Sequence, residues 1–170
     1  MHRPRGMARL VSAVLREQHH QLRVDLTACL AGDGLDIAAF DLFRHNLLWH
    51  VSVEERVVMP ALIRALGRPP DDRPGLRKDH AGIAALCVPR PEREWVENLR
   101  DLLDEHYRVE EAPGGFLSRC DEVLVSTLND RVVADIDGHP PLTLAPFRKG
   151  PSVRAQVAEV LRLTGITARR

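Results

Sequence analysis

Helical periodicity runs along this chain from about residue 7 to about residue 137, and each of the first four apolar stripes is interrupted near its middle by a histidine. In the first stripe Val11, Leu15, His19, Leu22 and Leu26 step by four, four, three and four, which places all five on one helical face. The second is Phe43, Leu47, His50, Glu54, Val57, Ala61, so two ionisable side chains take core positions one turn apart. The third is Leu76, His80, Ile83, Cys87, and the fourth is Val96, Leu99, Leu103, His106, Glu110. The fourth repeats the His-x-x-x-Glu spacing of the second. A single histidine on such a stripe is ordinarily a packed core or rim residue. Two core carboxylates are a different matter, because each costs of order several kcal/mol to bury unless a positive charge compensates it. No Lys or Arg lies on the four stripes. A divalent or trivalent metal centre is the simplest compensation. Six ligands are too many for one tetrahedral zinc, whereas two ions bridged by both glutamates would use them all. The candidate metal ligands are therefore His19, His50, Glu54, His80, His106 and Glu110.

No stretch shows the strict alternation of a half-buried strand, which predicts an all-α protein. The first helix is expected from about Met7 to Leu30, ending at Gly32 and Gly34. The second runs from an Asp36 cap to about Leu66, with a kink at Pro60 and a stop at Gly67. The third spans about 75–88, the fourth starts near Glu92 and ends at the APGG sequence, and a fifth covers about 118–137. Residues 1–137 are read as the main helical domain with its following helix. Residues 138–170 are read as a proline-rich strap carrying Leu142, Leu144 and Phe147 over it, then a short final helix.

At 170 residues one well-buried core is expected. Lys+Arg 24 cancels Asp+Glu 24, which removes a general electrostatic case for nucleic acid or an anionic membrane and points to small-molecule partners. No apolar run approaches the roughly 20 residues of a spanning helix. The basic opening MHRPRGMARLVSAVL is ended by Arg16 and Glu17 with no small-residue cleavage site, so a signal peptide is not expected. A cytoplasmic location and a monomer or weak homo-oligomer are the expectations. Cys29, Cys87 and Cys120 are an odd number at wide spacing, which suits reduced thiols.

The segment WHVSVEERVVMP, with His50, Glu54, Glu55 and Pro60, resembles the HxxxEE…P motif of the hemerythrin-like HHE cation-binding domains. HYRVEEAP, with His106 and Glu110, is similar to its second copy, and EQHHQL around His19 and KDHAGI around His80 resemble the short signatures of the family's first and third helices. The resemblance covers about residues 8–137. It implies an up-and-down four-helix bundle enclosing an oxo- or hydroxo-bridged di-iron centre that binds or reacts with dioxygen, hydrogen peroxide or nitric oxide. The oxygen carriers of the family add a third histidine and an aspartate, whereas here the position four residues after His80 is Ala84. Fewer protein ligands leave more open coordination positions, which favours reactivity over storage. Two alternatives stand beside this redox or peroxide-handling role: an iron or oxygen sensor without turnover, and a di-iron oxygenase that needs an organic-substrate pocket beside the metals. The same donors also accept manganese or zinc. Pro113 ends the fourth helix sooner than the family pattern, which leaves Glu110 in its last turn.

Several neighbours are read as bystanders. His20 lies about 100° round the helix from His19, and His2, His45 and His139 are expected at the surface. Glu55, Glu111, Asp79 and Glu105 are read as solvated charges, with Glu55 and Glu111 as alternative hydrogen-bond acceptors behind the ligands. Tyr107, Trp49 and Trp95 are expected to pack between helices, and Cys87 to fill the core.

Overall fold

A computed structural model of the chain describes residues 9–164, and these form helices joined by turns and, between the last two helices, by an extended segment over 138–150. The elements are α1 (Val11–Cys29), α2 (Ile37–Val53), α3 (Met59–Leu66), α4 (Arg73–Leu86), α5 (Arg93–Glu111), α6 (Phe116–Val123), α7 (Thr127–Asp137) and α8 (Pro151–Thr164). Among the described residues there is no β-strand, only an isolated parallel bridge between Pro89 and Arg148. No helix of the described residues is long and apolar enough to cross a membrane. The expected start near Met7, and His2, lie outside the described residues.

Local chemistry explains the helix ends. Asp36 caps α2 by accepting from the Ala38 and Ala39 amides at 3.0 Å each. Gly67 closes α3 with a φ of 75°, in the left-handed region glycine enters without penalty. The start of α1 has no cap of its own. Asn129 of α7 supplies one, accepting from the Val11 amide at 3.0 Å and donating to the Arg9 carbonyl at 2.8 Å. Pro74 lies in the first turn of α4, so this helix begins two residues before the expected Gly75.

The second helix departs from the expected pattern at Pro60. Between α2 and α3 the residues Glu54–Val58 form one π-helical turn, closed by the Met59 amide donating to the Glu54 carbonyl. Proline has no N–H and crowds the carbonyl four residues back, and the widened turn absorbs that conflict without breaking the rod. The extra residue moves the inward register on by one. Val58 is fully buried and Val57 only half-buried, in place of the Val57 expected on the stripe. The expected single helix over 118–137 is two helices. Leu124 and Val125 leave the helix and Ser126 takes a φ of 52°, so α7 turns back onto the π-helical turn.

The apolar interior is divided in two. One cluster gathers Leu22, Leu26, Phe40, Phe43, Leu47, Ile83, Leu86, Leu99 and Leu103 with Val157 and Leu161 of α8. The other gathers Val11, Leu15, Val53, Val58, Leu62, Leu76, Phe116, Leu117, Val132 and Ile136. α1, α2–α3 and α4 each pass from one cluster to the other with a buried polar residue in between, while α5 packs in the first cluster, carries the buried His106 and Glu110 in its last turns, and is followed by α6 in the second. The strap after α7 is half-buried at Leu142, Leu144 and Phe147. The buried Arg44 pins it, donating to the Ala145 carbonyl at 3.1 Å and to the Cys87 carbonyl at 3.2 Å with its guanidinium over the Phe147 ring. All three cysteines are free and buried, and burial pushes the Cys87 thiol up to about 12.

Candidate metal centre

The polar layer between the two clusters is made of the six expected residues. His19, His50, Glu54, His106 and Glu110 are at most 1% exposed and His80 is 7% exposed. Their inward atoms form two groups, His19–His50–Glu54–Glu110 and Glu54–His80–His106–Glu110, with the ligand atoms of each within 4.8 Å of one another. Both glutamates belong to both groups. Glu54 Oε1 lies 3.3 Å from His50 Nε2 and 3.8 Å from His19 Nε2, while its Oε2 lies 3.2 Å from His80 Nε2. Glu110 Oε2 lies 3.3 Å from His19 Nε2 and its Oε1 lies 3.4 Å from His106 Nε2. Each carboxylate therefore offers one oxygen to each histidine pair.

Every imidazole is held from behind through Nδ1, so that Nε2 faces the centre. His19 Nδ1 meets Glu111 Oε1 at 2.7 Å, His50 Nδ1 meets Gln18 Oε1 at 2.8 Å, His80 Nδ1 meets Glu55 Oε1 at 2.8 Å and His106 Nδ1 meets Asp79 Oδ2 at 3.2 Å. These contacts follow a ring. Gln18, next to His19 on α1, supports His50 on α2; Glu55, next to Glu54, supports His80 on α4; Asp79, next to His80, supports His106 on α5; Glu111, next to Glu110, supports His19 on α1. Glu55, Glu111 and Asp79 are thus hydrogen-bonded acceptors, correcting their reading as solvated charges. A residue beside a ligand points about 100° away from it along the helix, which in this packing is toward the adjacent helix. Gln18 lies off the apolar stripes, and its signal in the sequence is its place beside a ligand position, which it shares with Glu55, Asp79 and Glu111.

Facing the centre, both oxygens of Glu54 and of Glu110, and the Nε2 atoms of His80 and His106, are buried with no hydrogen-bond partner. Such atoms are costly to leave unpaired. The only ion-pair partners of the two glutamates among the described residues are histidines. Arg44, the buried cation, pairs instead with Asp41 at 2.7 Å. A buried set of nitrogen and oxygen donors short of partners fits a metal ion, and these groups could hold one.

Protons take that role when no metal does. Burial alone lowers an imidazole, but Glu110 and Glu54 beside His19 outweigh it and raise its pKa to about 9. His80 rises to about 10 against the same burial, held by Glu54 and Glu55. His50, with burial dominant, falls to about 3. Burial and the nearby Glu54 charge raise Glu110, whereas Glu54 stays well below the usual carboxylate range because the surrounding imidazoles outweigh its burial.

The early end of α5 does not displace Glu110. The chain reverses through Ala112–Gly115, and Gly115 lies so close that a Cβ there would sit 2.5 Å from the Val109 carbonyl oxygen and 2.8 Å from that of Glu110. Tyr107 packs as expected, directly on the site: its ring stacks on His19 with centroids 4.1 Å apart. His20 is exposed, and Glu105 pairs with the exposed Arg108. His139 is half-buried, correcting its surface reading, and contacts Ser52 Oγ through Nε2 at 2.9 Å because the chain leaving α7 passes over Trp49. No protein-family model matches the chain, and no curated protein or solved structure matches it.

Proposed function

We propose that the chain is a non-heme di-iron protein of the hemerythrin-like class, with α1, α2–α3, α4 and α5 as an up-and-down four-helix bundle, acting on dioxygen, hydrogen peroxide or nitric oxide. One observation carries the reading: each of two buried carboxylates presents one oxygen to each of two histidine pairs. One carboxylate facing a single ion would not need both oxygens divided in this way, whereas a bridging carboxylate does. His19 and His50 would hold one ion, His80 and His106 the other, and Glu54 and Glu110 would span both. A bound iron pair supplies electrons to a small oxidant at coordination positions the six protein ligands leave open.

The protein's own part is positional. The Nδ1 contacts fix each imidazole's tautomer and direction, Glu54 and Glu110 set the spacing, and the apolar clusters on either side limit water. An organic-substrate oxygenase is the second reading, favoured by a cavity lined in part by Tyr107, whose ring stacks on His19. The test is metal analysis with an optical spectrum of anaerobically purified protein, before and after oxygen or peroxide. Two irons per chain and a near-ultraviolet band that appears on oxidation are expected. One zinc and no iron would refute the di-iron assignment. Manganese in the same positions would keep the site and change the chemistry.

A further inference from the structure

Between α1 and α5 lies a cavity of about 180 Å³, lined by Leu22, Arg23, Leu26, Thr27, Arg100, Leu103, Asp104 and Tyr107. That is more than ten times the roughly 10–15 Å³ one water needs, so the space is ligand-sized. Its wall combines leucine side chains with Tyr107, whose hydroxyl is buried and has no hydrogen-bond partner among the described residues. Two cations line it, and they differ. Arg23 is engaged, 3.4 Å from Glu111 and 4.8 Å from the Tyr107 centroid. Arg100 is half-buried and makes no ion pair or hydrogen bond with any described residue. An unpaired guanidinium beside apolar and aromatic walls is a receptor for a carboxylate, which it meets with two parallel N–H donors. Asp104, also on the lining, is exposed and reduces the local positive charge without closing the space.

We propose that this cavity binds a small organic carboxylate with a flat apolar body, its charge on Arg100 and its body against Tyr107, one aromatic ring away from His19. The meaning of that position rests on the metal-centre reading, while the binding does not. Binding would place the ligand beside the centre without direct contact to any of the six metal-ligand candidates, since Tyr107 stands between.

The probe is benzoate, titrated calorimetrically into the full chain reconstituted with iron, with benzamide as the neutral isostere and iron counted on the same samples. One benzoate per chain is expected, and at least tenfold weaker benzamide binding, the cost of losing a charge-assisted pair. Arg100→Gln should bring benzoate down to the benzamide level, and Asp104→Asn should tighten it a few-fold. Thr27→Trp, at an exposed position on the cavity's rim, should block it while circular dichroism stays unchanged. Benzoate that fails to bind, or binds equally well to Arg100→Gln and Thr27→Trp, overturns the site. Protein that holds two irons and ignores benzoate refutes this inference alone, and protein that binds benzoate but no iron refutes the proposed function alone.

Discussion

The His19–His50 pair and the His80–His106 pair share both glutamates yet are supported differently from outside. Behind His80 and His106 stand two carboxylates, Glu55 and Asp79. Behind His19 and His50 stand one carboxylate, Glu111, which Arg23 also draws on, and the neutral amide of Gln18. A carboxylate accepting from Nδ1 makes the opposite nitrogen more basic and a stronger metal donor; an amide carbonyl does so much less. Under the proposed assignment, the two histidine pairs, with the same inward donors, would differ in metal affinity because of residues that touch no metal.

The largest effect is expected from Glu54→Ala, which removes the group common to both halves. For the proposed di-iron protein, iron content should drop from two per chain to below one, and any peroxide consumption should vanish. Retention of one tightly held ion would show that the halves are independent. Next come the outer residues. Glu55→Gln should weaken the stronger half by about 10–100-fold, and Gln18→Glu should bring the weaker half toward it. Both are read as the two steps of an anaerobic calorimetric titration with ferrous iron, and unchanged steps in both variants would remove the basis of the comparison.

A smaller effect concerns protons, which one member of each pair holds tightly. His19 and His80 titrate at about 9 and about 10 in the folded chain against an ordinary 6.5, so between those values the metal-free folded protein binds more protons than the unfolded chain. Their contribution to stability is complete below pH 6.5 and is lost as pH rises through about 9 to 10. Denaturant midpoints of the metal-free protein should fall across that window, and metal-loaded protein should lack the decline, since its imidazoles are already deprotonated. The smallest effect is expected from Tyr107→Phe. The hydroxyl has no partner to lose, so stability should change by no more than about 1 kcal/mol. A larger loss in chemical denaturation would reveal a hydrogen bond that Tyr107 makes on the His19 side.

The six inward residues were legible in the sequence because their spacing is a property of single helices. His50 with Glu54 and His106 with Glu110 stand one turn apart, and leucines above and below announce the face. Their outer partners were not, because each contact joins two helices, across 92 residues for His19 and Glu111 and 25 for Glu55 and His80. Periodicity orients a residue on its own helix and says nothing of its neighbour. The π-helical turn was hidden for a related reason. Pro60 announces a disturbance, but whether the rod kinks or takes in one more residue depends on packing that α7 supplies. The break at Val125–Ser126 carries no glycine or proline to mark it.

The division of the interior has a consequence for how the molecule comes apart. Most small helical proteins melt as one unit because a continuous apolar core lets every helix report on every other. Here, among the described residues, the apolar interior falls into two clusters with a layer of imidazoles and carboxylates between them. Chelation should leave that layer held by proton sharing alone, and the two ends would then be free to melt at different temperatures. Calorimetry would register the change as a van't Hoff enthalpy smaller than the heat absorbed, and adding back the ion would restore a single transition.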